Sequence, residues 1–115
     1  MKKLVYSPLV KNKLKILKAF LSKEYGDGSA KKILTQIADD AEILRNHEKS
    51  GTNIAEMYDI DTEYWYLFTN QHYLIYRFDS HTVTIIQIFH EREDFMMKLF
   101  GISGRTQESI DYWGE

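Results

Sequence analysis

Between residues 64 and 89 three strand-like runs follow one another with almost no chain between them. The runs cover about 64–69, 72–79 and 82–89, and the connections are turn-like: Asn70-Gln71, then Asp79-Ser80-His81. Links this short restrict the segment to an antiparallel meander. Side chains alternate along it: Tyr64, Tyr66 and Phe68 share one face, with Trp65 and Leu67 on the other. In the last run the same period sets Val83, Ile85, Gln87 and Phe89 against Ile86 and Ile88. Both faces are largely apolar, so one is expected to pack on helices and the other to be available to a partner.

The rest of the chain supplies the helices. Residues 3–7 (KLVYS) read as a short strand that Pro8 stops. Val10, Leu14, Leu17 and Leu21 recur at helical spacing, predicting an amphipathic helix over about 9–25 with Lys11, Lys15 and Lys18 on another face. Tyr25-Gly26-Asp27-Gly28 reads as a turn, with Ser29 the expected N-cap of a second helix over about 29–46. That helix carries Ile33, Ile37, Ala41 and Leu44 on its apolar face, so the two helices form a hairpin. Residues 47–63 have no clean period and read as an acidic loop with room for short structure. Residues 93–100 predict a short helix ended by Gly101, and 102–115 form a tail, with one more helical turn expected around 107–112 and Tyr112 and Trp113 docking onto the domain or a partner. The pattern is α+β in a single domain spanning 1–115.

Composition narrows the chemistry. The 115 residues include no cysteine, which removes disulfides and thiolate metal sites. Net charge is −2, but residues 1–32 carry +7 and residues 33–115 carry −9, so one basic and one acidic surface are expected. No apolar run approaches the roughly 20 residues of a membrane span, and the N-terminus does not read as a signal peptide; the expected compartment is the cytoplasm. His90 and Asp94 are four apart, but no His-Glu-x-x-His pattern accompanies them, and no phosphate loop or nucleophile elbow is present. No metal or cofactor is implied.

Four pieces in order carry a family resemblance: Val5-Tyr6-Ser7-Pro8 at the end of the first strand, Tyr73-Leu74-Ile75-Tyr76-Arg77 in the central run, His90-Glu91-Arg92-Glu93-Asp94-Phe95 after the last, and then Leu99-Phe100. From Leu4 to about Gly101 the chain resembles the RelE/ParE toxin superfamily of type II toxin–antitoxin systems, which includes plasmid stabilisation proteins. The resemblance implies an N-terminal strand, a helical hairpin, a three-stranded meander and a short helix. It also implies an antitoxin partner, as an amphipathic segment in a groove or as a strand added at the sheet edge; operator DNA is reached only through that antitoxin. Two mechanisms occur in the superfamily, and fold does not choose between them. RelE-like members cut messenger RNA on the ribosome, whereas ParE-like members inhibit DNA gyrase without a known nuclease site.

For RNA cleavage, the resemblance assigns Arg92 to the phosphate; His90 is a candidate acid or base and Arg77 a further cation. The sequence departs from the nuclease pattern at Tyr73, where those enzymes have a second arginine, and in the helix after Arg92, which has no tyrosine. Tyr76 and Tyr112 are its nominal substitutes. The net negative charge also weakens a ribosome-directed reading, because attraction to RNA is largely electrostatic. The leading expectation is therefore a ParE-like toxin, with Lys11, Lys15, Lys18, Tyr73 and Tyr76 as partner-binding candidates. The alternatives are a RelE-like ribonuclease and an inactive homologue retained as a binding module.

Overall fold

A computed structural model describes residues 1–101; the expected helical turn at 107–112 and the docking of Tyr112 and Trp113 lie outside the described residues. Five strands form one mixed sheet: β1 (Lys3–Tyr6), β2 (Thr52–Asn53), β3 (Trp65–Thr69), β4 (His72–Phe78) and β5 (Thr82–His90), in the order β1-β5-β4-β3-β2. β1 lies parallel to β5 at one edge, and all other pairs are antiparallel. The meander is therefore as the sequence implies. Its first turn, Asn70-Gln71, has positive φ at both residues (47° and 66°), the mark of the type I′ hairpins whose twist matches that of paired strands. In the second, Asp79 Oδ1 accepts from the His81 and Thr82 N–H groups.

α1 (Pro8–Tyr25) opens with Pro8, whose fixed φ suits the first helical position. Ser7 caps it, its Oγ accepting from the Val10 N–H. α2 (Asp27–Ile43) begins two residues before the expected Ser29, because Gly26, at φ 90°, ends one helix and starts the next. A side chain would be strained there, and glycine is not. Ser29 lies inside the first turn. Val10 and Leu21 of α1 and Ala30, Ile37 and Ala41 of α2 are buried, as their spacing requires. Val10, Ile37 and Ala41 pack on Leu74, Tyr76, Val83, Ile85 and Ile88 of the sheet, with Leu44 beside them.

The acidic segment, read as a loop with room for short structure, contains β2 and the single-turn helix α3 (Ile54–Tyr58). It is pinned at one point. The buried Tyr76 hydroxyl donates to the Glu48 carbonyl (2.7 Å) and accepts from the Gly51 N–H (3.2 Å). A Cβ on Gly51 would collide with the Tyr66 carbonyl and the Tyr76 hydroxyl, so this approach requires glycine. α4 (Phe95–Phe100) follows β5, capped by Asp94 at its start and by Gly101 in the left-handed region at its end. α3 and α4 lie on the sheet face away from the hairpin, over Ile75, Phe89 and a ring of tyrosines.

One irregularity positions everything downstream. Tyr76 pairs with Ile85 while Ile75 pairs with Gln87, so Ile86 is an extra, bulged residue of β5. Side-chain alternation flips there. Val83, Ile85 and Ile88 share the hairpin face, and Ile86 and Phe89 join the other cluster; this corrects the strict alternation read from the sequence. Among the described residues, no helix is long and apolar enough to cross a membrane.

Candidate functional site

The bulge also decides which residues meet at the end of the sheet. Without it, His72 would face Phe89; with it, His72 faces His90, their ring centroids 5.3 Å apart. The two histidines line a cleft of about 880 Å³ between α1 and the β4–β5 end. Lys13, Ile16, Leu17, Phe20 and Tyr25 form the α1 wall, and Glu91, Arg92 and Glu93 form the rim after β5. The volume lies within the range of ligand and contact clefts.

Partners fix the tautomers of the two rings. His72 Nδ1 lies 2.8 Å from the Asn70 carbonyl, which can only accept, so this nitrogen carries the proton and neutral His72 leaves Nε2 as an acceptor. His90 Nδ1 accepts from the Arg92 N–H (3.1 Å), so its Nε2 carries the proton and can donate. Burial lowers the pKa of His72; the hydrogen bond to Asn70 opposes this, and nearby His90 reinforces it.

Lys13 reaches around the free edge of β5, where β1 has ended. Its ammonium donates to Gln87 Oε1 (2.6 Å) and the Ile88 carbonyl (3.2 Å), and sits 4.6 Å from the centre of the Phe89 ring. Desolvation lowers the lysine's pKa; the charge of nearby Glu93 opposes this and that of Lys98 reinforces it. Glu93 is committed elsewhere: Lys98 Nζ (2.8 Å) and the His90 N–H (3.2 Å) both donate to it. Burial opposes ionisation of Glu93, but those hydrogen bonds outweigh it and hold its pKa below the usual value.

Of the residues singled out from sequence, Arg92 and His90 therefore come together. Arg77 does not join them. It is exposed and pairs with Glu63 (3.3 Å), five residues along β4 from His72, or roughly 16 Å at strand rise. Tyr73 lies in the aromatic cluster, 4.8 Å from the Phe95 ring centre and 5.0 Å from that of Phe68. Tyr76 has no exposed surface, so its proposed part in partner binding is corrected: its hydroxyl is spent on the 48–51 segment. Lys11, Lys15 and Lys18 are exposed on α1. Lys15 and Lys18 border a shallow apolar groove of about 340 Å³ between α1 and α2.

Sequence reasoning missed Lys13, His72, Phe20 and Tyr25. The signal available for the last two was large rings on the helix outside its apolar stripe. Phe20 is 55% exposed, and Leu9 and Ile16 are exposed with it at 49% and 62%. A helix that presents apolar side chains between lysines offers area to a protein surface and charge to orient it.

Comparison with known proteins adds to this geometry. Residues 4–95 match the family described as the ParE toxin of type II toxin–antitoxin systems, parDE. Among solved structures, the chain is similar in fold to one from the chromosomal ParDE toxin–antitoxin system of P. aeruginosa. That likeness has a TM-score of 0.66 at 14% identity, over 78% of this chain and 96% of the other. No curated protein matches the sequence.

Proposed function

The chain belongs to the ParE toxin family of type II toxin–antitoxin systems, and from that premise we propose that it arrests growth by binding DNA gyrase and that a cognate antitoxin neutralises it in the cytoplasm. The observation that carries this reading is the surface of α1, where Leu9, Ile16 and Phe20 stand exposed beside Lys11, Lys15 and Lys18. Buried aromatic anchors and a charged rim are what protein interfaces use. The dispersal of the groups needed for RNA cleavage supports the same reading. Arg77 is remote from Arg92, Tyr73 packs among aromatic rings, and α4 reads FMMKLF, with no tyrosine.

The sheet edges favour a groove-bound antitoxin segment over an added strand. Beyond Tyr6 the free edge of β5 is already occupied. Ser7 Oγ donates to the Ile86 carbonyl, Gln87 Oε1 accepts from the Ile88 N–H, and Lys13 Nζ takes the Ile88 carbonyl. β1, the edge strand itself, has only four residues, and β2 at the opposite edge only two; edges so short or so capped resist strand pairing.

Controlled expression in bacteria with parallel pulse-labelling tests the proposal. DNA synthesis should fall before protein synthesis, and the purified protein should inhibit supercoiling by purified gyrase. A first fall in protein synthesis, with cleaved transcripts, would replace this reading by the ribonuclease one. No effect on either would make the chain an inactive binding module.

A further inference from the structure

The turn that carries β5 into α4 is closed by hydrogen bonds of two kinds, and acid acts differently on them. Three of its amide groups have oxygen acceptors. The His90 N–H donates to Glu93 Oε1 (3.2 Å), the Glu91 N–H to the Gln71 carbonyl (2.8 Å) and the Glu93 N–H to the His90 carbonyl (2.9 Å). Carbonyls do not titrate. Burial opposes ionisation of Glu93, but the bonds from Lys98 and the His90 N–H hold it below the usual carboxylate range, so it stays charged through neutral pH.

The remaining amide is different. The Arg92 N–H donates to His90 Nδ1 (3.1 Å). An imidazole here closes the turn as an Asn or Asp oxygen does when it takes the amide two residues on. Only the neutral ring can accept at Nδ1, because the imidazolium carries a proton on both nitrogens. On protonation the bond is lost outright, and two N–H groups then face each other across the same gap.

The groups that face this ring come from each element around it. The His72 ring of β4 lies 5.3 Å away, centre to centre. Lys13 and Tyr25 of α1 line the same cleft, and Glu91, Arg92 and Glu93 belong to the turn itself. Lys98 of α4 enters through its bond to Glu93. Glu91 and Glu93 attract a positive ring there; Lys13, Arg92 and a protonated His72 repel it.

We propose that His90 is a pH-sensitive latch: its neutral ring holds the Arg92 peptide group in place, and protonation of the ring releases Glu91–Arg92 while the rest of the turn, the sheet and α4 stay closed. Arg92 lines the rim of the cleft against α1, so acid converts a fixed cation on that rim into a mobile one. The device is independent of what the exposed face of α1 binds.

NMR of the isotope-labelled full chain between about pH 8 and about pH 5, the range in which histidine changes charge, tests this. At the alkaline end a through-hydrogen-bond coupling should join the Arg92 amide nitrogen to His90 Nδ1. It should fade as the His90 ring signals titrate. The Arg92 order parameter should fall with it from about 0.85 toward about 0.6, the values of rigid and flexible backbone, while those of Glu93 and Ile85 hold. His90→Asn supplies an oxygen acceptor that does not titrate, and should keep Arg92 ordered throughout; His90→Ala should leave it mobile throughout. His72→Gln should leave the pH response in place. Absence of the coupling at the alkaline end, an Arg92 order parameter that does not follow the His90 ring, or a response that survives in His90→Asn would overturn the latch. Loss of the response in His72→Gln would overturn its assignment to His90, and simultaneous loss of order at Ile85 would replace a local release by unfolding of the domain.

Discussion

The sheet is covered unequally on its two faces. On one, the hairpin seals an aliphatic layer in which Ile37, Leu74, Val83 and Ile85 have 2% exposure or less. On the other, two short helices cover an aromatic layer only in part: Tyr58, Tyr66 and Tyr73 ring Phe95, Tyr64 packs on Phe100, and Phe68 and Met57 remain about half exposed or more. Close-packed aliphatic layers give stability and tolerate few changes. Tilted and edge-on aromatic pairs such as Tyr66–Tyr73 and Tyr58–Phe95 hold shape while leaving surface to share. The first face secures the fold, and the second and the outer side of α1 are where contacts can be gained or lost.

The sharpest way to break that comparison uses two neighbours in sequence. Ile85 has no exposed surface and points to the hairpin, whereas Ile86 is the bulged residue, partly exposed on the aromatic side. Ile85→Ala should cost about 2–5 kcal/mol of stability, the range for a truncation that leaves a cavity in a packed core. Ile86→Ala should cost about 1 kcal/mol, since less area is lost and solvent can fill the space. Urea unfolding of the two variants checks both values, and equal losses would show the faces to be equally packed.

The next largest effect belongs to Tyr76, the polar group in the sealed face. Burial raises its pKa to about 12. The folded state therefore favours the neutral phenol. The stability this gives is complete below the ordinary value of 10.0 and is lost as pH rises toward 12, by about 2 kcal/mol at the upper end. Tyr76→Phe should remove this alkaline loss. At neutral pH it should cost about 1–3 kcal/mol, because the Glu48 carbonyl and the Gly51 N–H lose their partner.

These residues also show what the sequence could and could not reveal. Val10, Leu14, Leu17 and Leu21 announce α1 because burial of one helix face imposes that spacing, and the meander is legible from its turns. Gly26 as the whole link between two helices is not, since a glycine pair flanking an aspartate reads equally as a longer turn. Residues 47–63 show no period because single contacts, Tyr76 to Glu48 and Gly51, hold them instead of a repeating face. The cleft was half legible. Arg92 and His90 were found by resemblance, but His72 faces His90 only because of the bulge at Ile86, which no residue type there signals. Lys13 looked like any helix lysine, and its role exists only where β1 stops short of the end of β5.

His72 gives a smaller and opposite pH effect. Burial lowers its pKa from an ordinary 6.5, and the groups facing it are His90, the Asn70 carbonyl, Glu91 and Glu93. The stability this gives is complete above the ordinary value and is lost as pH falls through it. His72→Gln should flatten the acid limb of a stability–pH curve below the ordinary value of 6.5, with less change than Tyr76 produces at the alkaline end.

The smallest change in stability should carry the largest functional contrast. Phe20→Ala on α1 and Phe68→Ala on the aromatic face remove rings that are 55% and 49% exposed, so each should shift stability by no more than about 0.5 kcal/mol. If α1 is the gyrase surface, Phe20→Ala should relieve the arrest of DNA synthesis and inhibition of supercoiling, while Phe68→Ala leaves both intact. The reverse result would move the target to the aromatic face and leave α1 to the antitoxin. Loss of both activities in both variants would mean that one partner spans the sheet edge, with the two faces acting as a single interface. Because neither substitution disturbs the sealed core, the outcome reads contact and not folding.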